Sequence, residues 1–170
     1  MSEQQFVHLH NHSDYSLLDG AMKTRAMVAK AAACGQPALA LTDHGNMFGA
    51  VEFYLACKKA GIKPILGMEA YVAPGHREER VRDPVAAYHL TLLAKDLTGY
   101  RNLVRLTSRG YTEGFYRKPR LDHEILAEHS EGVIVLSVPV TPITVTWHIS
   151  NAVPAETATA RSTAPKVDAS

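Results

Sequence analysis

Apolar positions along this chain fall into short runs whose period switches repeatedly between two and about 3.6, predicting alternating strands and helices. "QFVHLHN" (5–11) reads as a strand, and "KTRAMVAKAAACG" (23–35) as a helix stopped by Gly35. "PALALTDH" (37–44) is a second, nearly all-apolar strand. "MFGAVEFYLACKKAG" (47–61) is a second helix, with Lys58 and Lys59 in its last turn and Gly61 after it. A third strand, "KPILGMEAYV" (63–72), leads into the charged loop "APGHREERVRDP" (73–84), whose Arg/Glu run reads as a solvated surface. "YHLTLLAK" (88–95) is a fourth strand and "TGYRNLVRLTSRGY" (98–111) a third helix. Past "TEGFYRKPR" (112–120), Asp122 is placed to cap a short helix over 123–132 that enters a fifth strand, "VIVLS" (133–137).

Strands and helices in alternation, with strands this apolar, predict an α/β fold in which a parallel sheet is covered by helices. Functional groups in such folds gather at the C-terminal ends of the strands. His10 and His12 end the first strand, Asp43 and His44 end the second, Glu69 lies in the third and His89 in the fourth. In an extended segment His8, His10 and His12 share one face. Imidazole is the commonest metal ligand among side chains, so four strands together offer metal-ligand chemistry.

Bulk composition narrows the function classes. The 170 residues suit one domain, and 46% hydrophobic residues suffice for a sizeable core. A net charge of +1 gives no general electrostatic case for a polyanion or membrane partner, so any such contact is local. Cys34 and Cys57 form no CxxC pair, which suits a reducing, cytoplasmic compartment; no signal stretch or membrane-length apolar run is present. From Val138 onward Ala, Thr, Val, Pro and Ser dominate, predicting a disordered tail.

Four blocks carry a family resemblance: "FVHLHNHSDYSLLDGAMK", "ALALTDHGNMFGAVEFYLACKKAGIKPILGMEAYVA", "HLTLLAKDLTGYRNLVRLTSRGYTEGFYRKPRLDHEIL" and "GVIVLS". They resemble the PHP (polymerase and histidinol phosphatase) domain at the N-terminus of bacterial replicative polymerases of the DNA polymerase III alpha subunit family. The resemblance runs from about Phe6 to Ser137 and divides the chain into a PHP part, 1–137, and a non-family, disordered or out-of-frame tail, 138–170. It implies a partial distorted (β/α) barrel holding about five of the family's seven strands. By the same resemblance, His10 and His12 are ligands of one metal, Glu69 bridges to a second held by His89, and Asp19 with His44 serves a third. Zinc or manganese, with magnesium as a further option, suits imidazole and carboxylate donors and supports phosphoester hydrolysis.

The resemblance also sets expectations about what is missing. After "VIVLS" the family continues with a Gly-Cys pair and later an Asp-x-His, and neither occurs in 138–170. The expectation is therefore a truncated or frameshifted fragment with an incomplete site and no assigned catalytic residue. Such a chain is not a polymerase by itself, although its intact family works with DNA, a sliding clamp and a proofreading exonuclease subunit. The alternatives are a free-standing PHP phosphoesterase or 3′–5′ exonuclease, and a non-enzymatic docking domain. His8 is expected to pack or to support the ligands rather than to be one, and "FYRKPR" to be a surface turn rather than a phosphate contact.

Overall fold

The computed structural model describes residues 6–17, 19–80 and 87–136. The expected tail over 138–170 lies outside these residues. In chain order the elements are α1 (Thr24–Ala33), β1 (Ala38–Leu41), α2 (Ala50–Ala60), β2 (Lys63–Val72), β3 (Tyr88–Ala94), α3 (Leu97–Thr112), β4 (Phe115–Tyr116), β5 (Lys118–Leu121), α4 (His123–Glu128) and β6 (Val133–Leu136). The path β4-β5-β2-β3-β6 forms one sheet, with β1 joined to β2.

Strand β2 organises the molecule. One edge pairs with β3, Glu69 opposite Thr91 and Tyr71 opposite His89. The other edge takes β1 against residues 63–66, then the single bridge His44–Glu69, then β5 against Tyr71 and Val72. Period two along β2 sends Met68, Ala70 and Val72 into a core with Leu90, Leu92, Leu103, Leu106, Leu121, Ile125 and Leu126. Glu69 and Tyr71 therefore face the opposite side. A second core, Met27, Val28, Leu39, Leu41, Phe53, Cys57 and Ile62 among its members, seats α1 and α2 on β1. Each fully buried Leu or Phe contributes about 1.5–3 kcal/mol, which is what holds these helices to the sheet.

The structure corrects the wholly parallel sheet. β1 and β5 run parallel to β2, but β3 is antiparallel to β2, and β6 to β3. A parallel neighbour requires a crossover, usually a helix, and the loop after β2 supplies none among its described residues. The expected first strand is also absent as a ladder. Ala40 N and Thr42 N, two residues apart, donate to His8 O and Asn11 O, three residues apart. That extra residue breaks the register, and Asn11 N donates instead to Thr42 Oγ1 at 3.0 Å.

The loop after β2 is not simply solvated. Arg77 is buried, donating from its backbone N and from Nη1 to Asp122 Oδ2, each at 2.9 Å, and from Nε to Glu113 Oε2 at 2.8 Å. Asp122 does cap α4, accepting from Ile125 N at 3.2 Å. Burial opposes the Asp122 charge, but the hydrogen bonds from Arg77 and Ile125 outweigh it and depress its pKa. A depressed carboxylate stabilises the fold above its ordinary value and loses that contribution as pH falls through the folded value. Acid unfolding followed by circular dichroism should therefore steepen below about pH 4. Asp122→Asn should flatten that limb, and an unchanged acid limb would contradict this account.

Candidate metal centre

The side of the sheet away from the α3–α4 core gathers every side chain singled out as a ligand. Glu69 sits at its centre, 5% exposed. His10 Nε2 lies 2.8 Å and His12 Nε2 3.0 Å from Glu69 Oε2, and the two nitrogens are 3.0 Å apart. His89 Nδ1 meets Glu69 Oε1, placed there because His89 faces Tyr71 across the β2–β3 ladder. His44, at the β1 end, points Nε2 at Asp19 Oδ2 (3.0 Å) and Nδ1 toward Glu69 Oε2 (3.5 Å). The structure thus brings together His10, His12, Asp19, His44, Glu69 and His89. His8 does not join them; it lies edge-on to Phe6, because the extra residue beside β1 breaks strict alternation.

The supporting polar network was not legible as such. Asp43, 1% exposed, accepts from Ser13 N (2.7 Å), Ser13 Oγ (2.8 Å) and Ser16 Oγ (2.7 Å). Ser16 spends its one proton on that carboxylate, so its oxygen must accept, from His44 N at 3.0 Å and from His12 Nδ1 at 3.1 Å. A proton on Nδ1 leaves the Nε2 lone pair of neutral His12 facing Glu69. Outer hydrogen bonds of this kind orient ligating histidines. The signal available was two serines one turn apart between the histidines and Asp19, together with the acid beside His44.

Electrostatics follow from these contacts. Burial opposes ionisation of Glu69, but hydrogen bonds from His12, His89 and His10 outweigh it and hold its pKa well below the carboxylate range. The Glu69 contact raises His12 above its ordinary value, whereas burial lowers His44 and keeps it neutral. Burial, then the Glu69 charge, push the Tyr71 phenol up to about 12. Tyr71 stacks on His44, ring centroids 5.5 Å apart, and meets His89 edge-on at 5.0 Å.

The donor set fits a divalent cation on its own geometry. His10, His12 and Glu69 form one group with ligand atoms in mutual reach, and His44, Glu69 and His89 form another. His44 Nδ1 is buried without a hydrogen-bond partner. A buried lone pair aimed at a carboxylate is costly unless something positive lies between them. A third group, His76, Asp122 and Glu124, differs: Arg77 Nη1 already lies 2.9 Å from Asp122 and 3.3 Å from Glu124 and supplies the positive charge there.

Among the described residues no helix is long and apolar enough to cross a membrane. The chain is 56% identical over 141 residues to the DNA polymerase III subunit alpha of Thermus aquaticus, covering 80% of this chain and 12% of that protein. Against the Treponema pallidum subunit of the same name it is 55% identical over 139 residues, covering 81% and 12%. The chain therefore spans about an eighth of the length of these relatives. A solved structure of a candidate metal-dependent phosphoesterase from Bifidobacterium adolescentis overlaps 64% of this chain and 34% of its own, with TM-score 0.47 and 21% identity, too slight a likeness to carry an argument. The family profile described as PHP domain matches residues 8–165, which takes in the whole cluster around Glu69. On that match, the chain belongs to the PHP domain family.

Proposed function

We propose that this chain is the metal-binding PHP portion of a replicative DNA polymerase, built for metal-dependent hydrolysis of phosphodiesters. The observation that carries the reading is the convergence of four imidazoles on Glu69, with Asp19 on the far side of His44 and His44 Nδ1 without a hydrogen-bond partner. His10, His12 and Glu69 would hold one cation, Glu69 with His89 a second, and Asp19 with His44 a third. Imidazole-rich sets favour zinc or manganese over magnesium. When bound, such a cation supplies Lewis-acid polarisation of a phosphoryl oxygen.

The chain's own residues prepare that chemistry. Glu69 stays ionised at neutral pH, and His44 presents an uncharged ring. Ser16 holds His12 in the tautomer that offers Nε2. The polymerase setting, with DNA, a sliding clamp and a proofreading subunit as partners and the cytoplasm as compartment, rests on relatives matched along 12% of their length. Zinc titration of the chain beside a His10→Ala/His12→Ala double variant tests the ligand assignment, with a loss of at least tenfold in affinity expected, about the smallest effect of an outer-shell change. Equal uptake by both would overturn it. Nucleotide release from a single-stranded 3′ end is expected near background, because the 170 residues hold neither the family's Gly-Cys ligand nor its Asp-x-His.

A further inference from the structure

We propose that the β4–β5 hairpin and an adjoining row of aromatic rings form a track for single-stranded nucleic acid that delivers a strand to the Glu69 cluster. The proposal rests on the hydrolytic reading above and names the side chains that would hold the substrate. Three rings lie exposed in sequence along one surface. Phe48 meets Tyr111 with centroids 5.7 Å apart, and Tyr111 stacks on Phe115 at 6.0 Å and 23°. They are 61%, 38% and 51% exposed, a contiguous apolar surface that a folded chain gains nothing by leaving in water.

The row adjoins positive charge and the metal centre together. Phe115 opens the hairpin, whose turn is the single residue Arg117 and whose next residue is Lys118. Lys118 Nζ stands 4.3 Å over the Tyr71 ring, and that ring packs against His44 and His89. The hairpin is also seated on the turn that carries His44. A Cβ on Gly45 would come 2.7 Å from Pro119 and 3.0 Å from Tyr71. Stacking rings beside a cationic groove are how proteins hold single strands without reading sequence, since every base has a π-face and every link a phosphate. A duplex hides the base faces that such a row would stack.

Arg117 adds an independent sign. It is the one non-glycine residue with positive φ (64°) among the described residues, and it sits at a turn where glycine would be unstrained. Backbone of this kind clusters at ligand clamps and switch regions, and a guanidinium beside Lys118 offers a second phosphate contact.

The test uses the full chain, loaded with zinc, and anisotropy of a fluorescein-labelled oligothymidylate of about twelve nucleotides. Phe115→Ala should weaken binding about tenfold through lost stacking. Lys118→Gln should weaken it and lower the salt slope by about 0.7. Arg117→Gly should raise the melting temperature while weakening binding, opposite directions that a folding defect cannot produce. Zinc uptake, titrated alongside, should be unchanged in all three. Identical isotherms for wild type and variants, or no saturable binding by wild type with zinc uptake intact, would overturn the track and leave the aromatic row as a protein-docking surface. Weakened variants in a chain that takes up no zinc would support the track and sink the hydrolytic reading instead.

Discussion

Glu69→Ala is expected to lower zinc affinity more than about 100-fold, beyond the roughly 10–100-fold cost of losing an outer-shell partner. Glu69 belongs to both groups of ligand atoms, so its removal empties the centre of each. Among the described residues it is also the only carboxylate that His10, His12 and His89 meet at hydrogen-bonding range. The metal-free chain should show the same pairing as a pH effect. The raised His12 pKa gives stability that is fully present below about 6.5 and is lost as pH rises through the folded value. The depressed Glu69 pKa gives stability present above about 4.5 and lost as pH falls. The contact therefore stabilises most between about pH 5 and 6. Zinc affinity should climb with pH above that window, because the His12 proton must leave before Nε2 can ligate. Competition with a chromophoric chelator across pH measures both. Uptake by Glu69→Ala within about tenfold of wild type would remove Glu69 from the centre.

Asp43→Ala is expected to cost about 3 kcal/mol or more of stability in urea unfolding, because three buried neutral donors lose one shared acceptor. Three donors, Ser13 N, Ser13 Oγ and Ser16 Oγ, lose their acceptor in a site 1% exposed or less, and each buried group left unpaired costs about 1–3 kcal/mol. The same change frees Ser16, which orients His12 and holds His44 N. Zinc affinity should therefore fall about 10–100-fold although Asp43 touches no cation. Asp43→Asn keeps the volume and one acceptor oxygen, so it should fall between wild type and Asp43→Ala in both measurements. A stability loss under about 1 kcal/mol for Asp43→Ala would mean that water or a neighbouring acceptor replaces the carboxylate.

Most segments of regular structure, the first strand and the β4–β5 hairpin excepted, and the cluster of Glu69 with five residues around it were legible because both are written in short range. Period two in "KPILGMEAYV" puts Glu69 and Tyr71 on the face opposite Met68, Ala70 and Val72, and β2 obeys it. His10 with His12 is a local pair whose residue types announce their chemistry, whereas Asp43, which beside His44 read as a further metal donor, instead accepts from Ser13 and Ser16. Strand direction was not local. The antiparallel β3 follows from a loop that offers no crossover among its described residues, and the broken register beside β1 depends on where Ala40 and Thr42 find acceptors. The same limit hid the supporting contacts. Asp43 meets Ser13 and Ser16 about thirty residues away in sequence, and Arg77 meets Asp122 forty-five away. A charged loop reads as solvated until the fold brings a buried carboxylate to it, as "REER" did before Arg77 was found under α4. Hydrophobic period and residue chemistry are properties of neighbours along the chain, whereas pairing direction and the partner of a buried charge are decided only when distant segments close on one another.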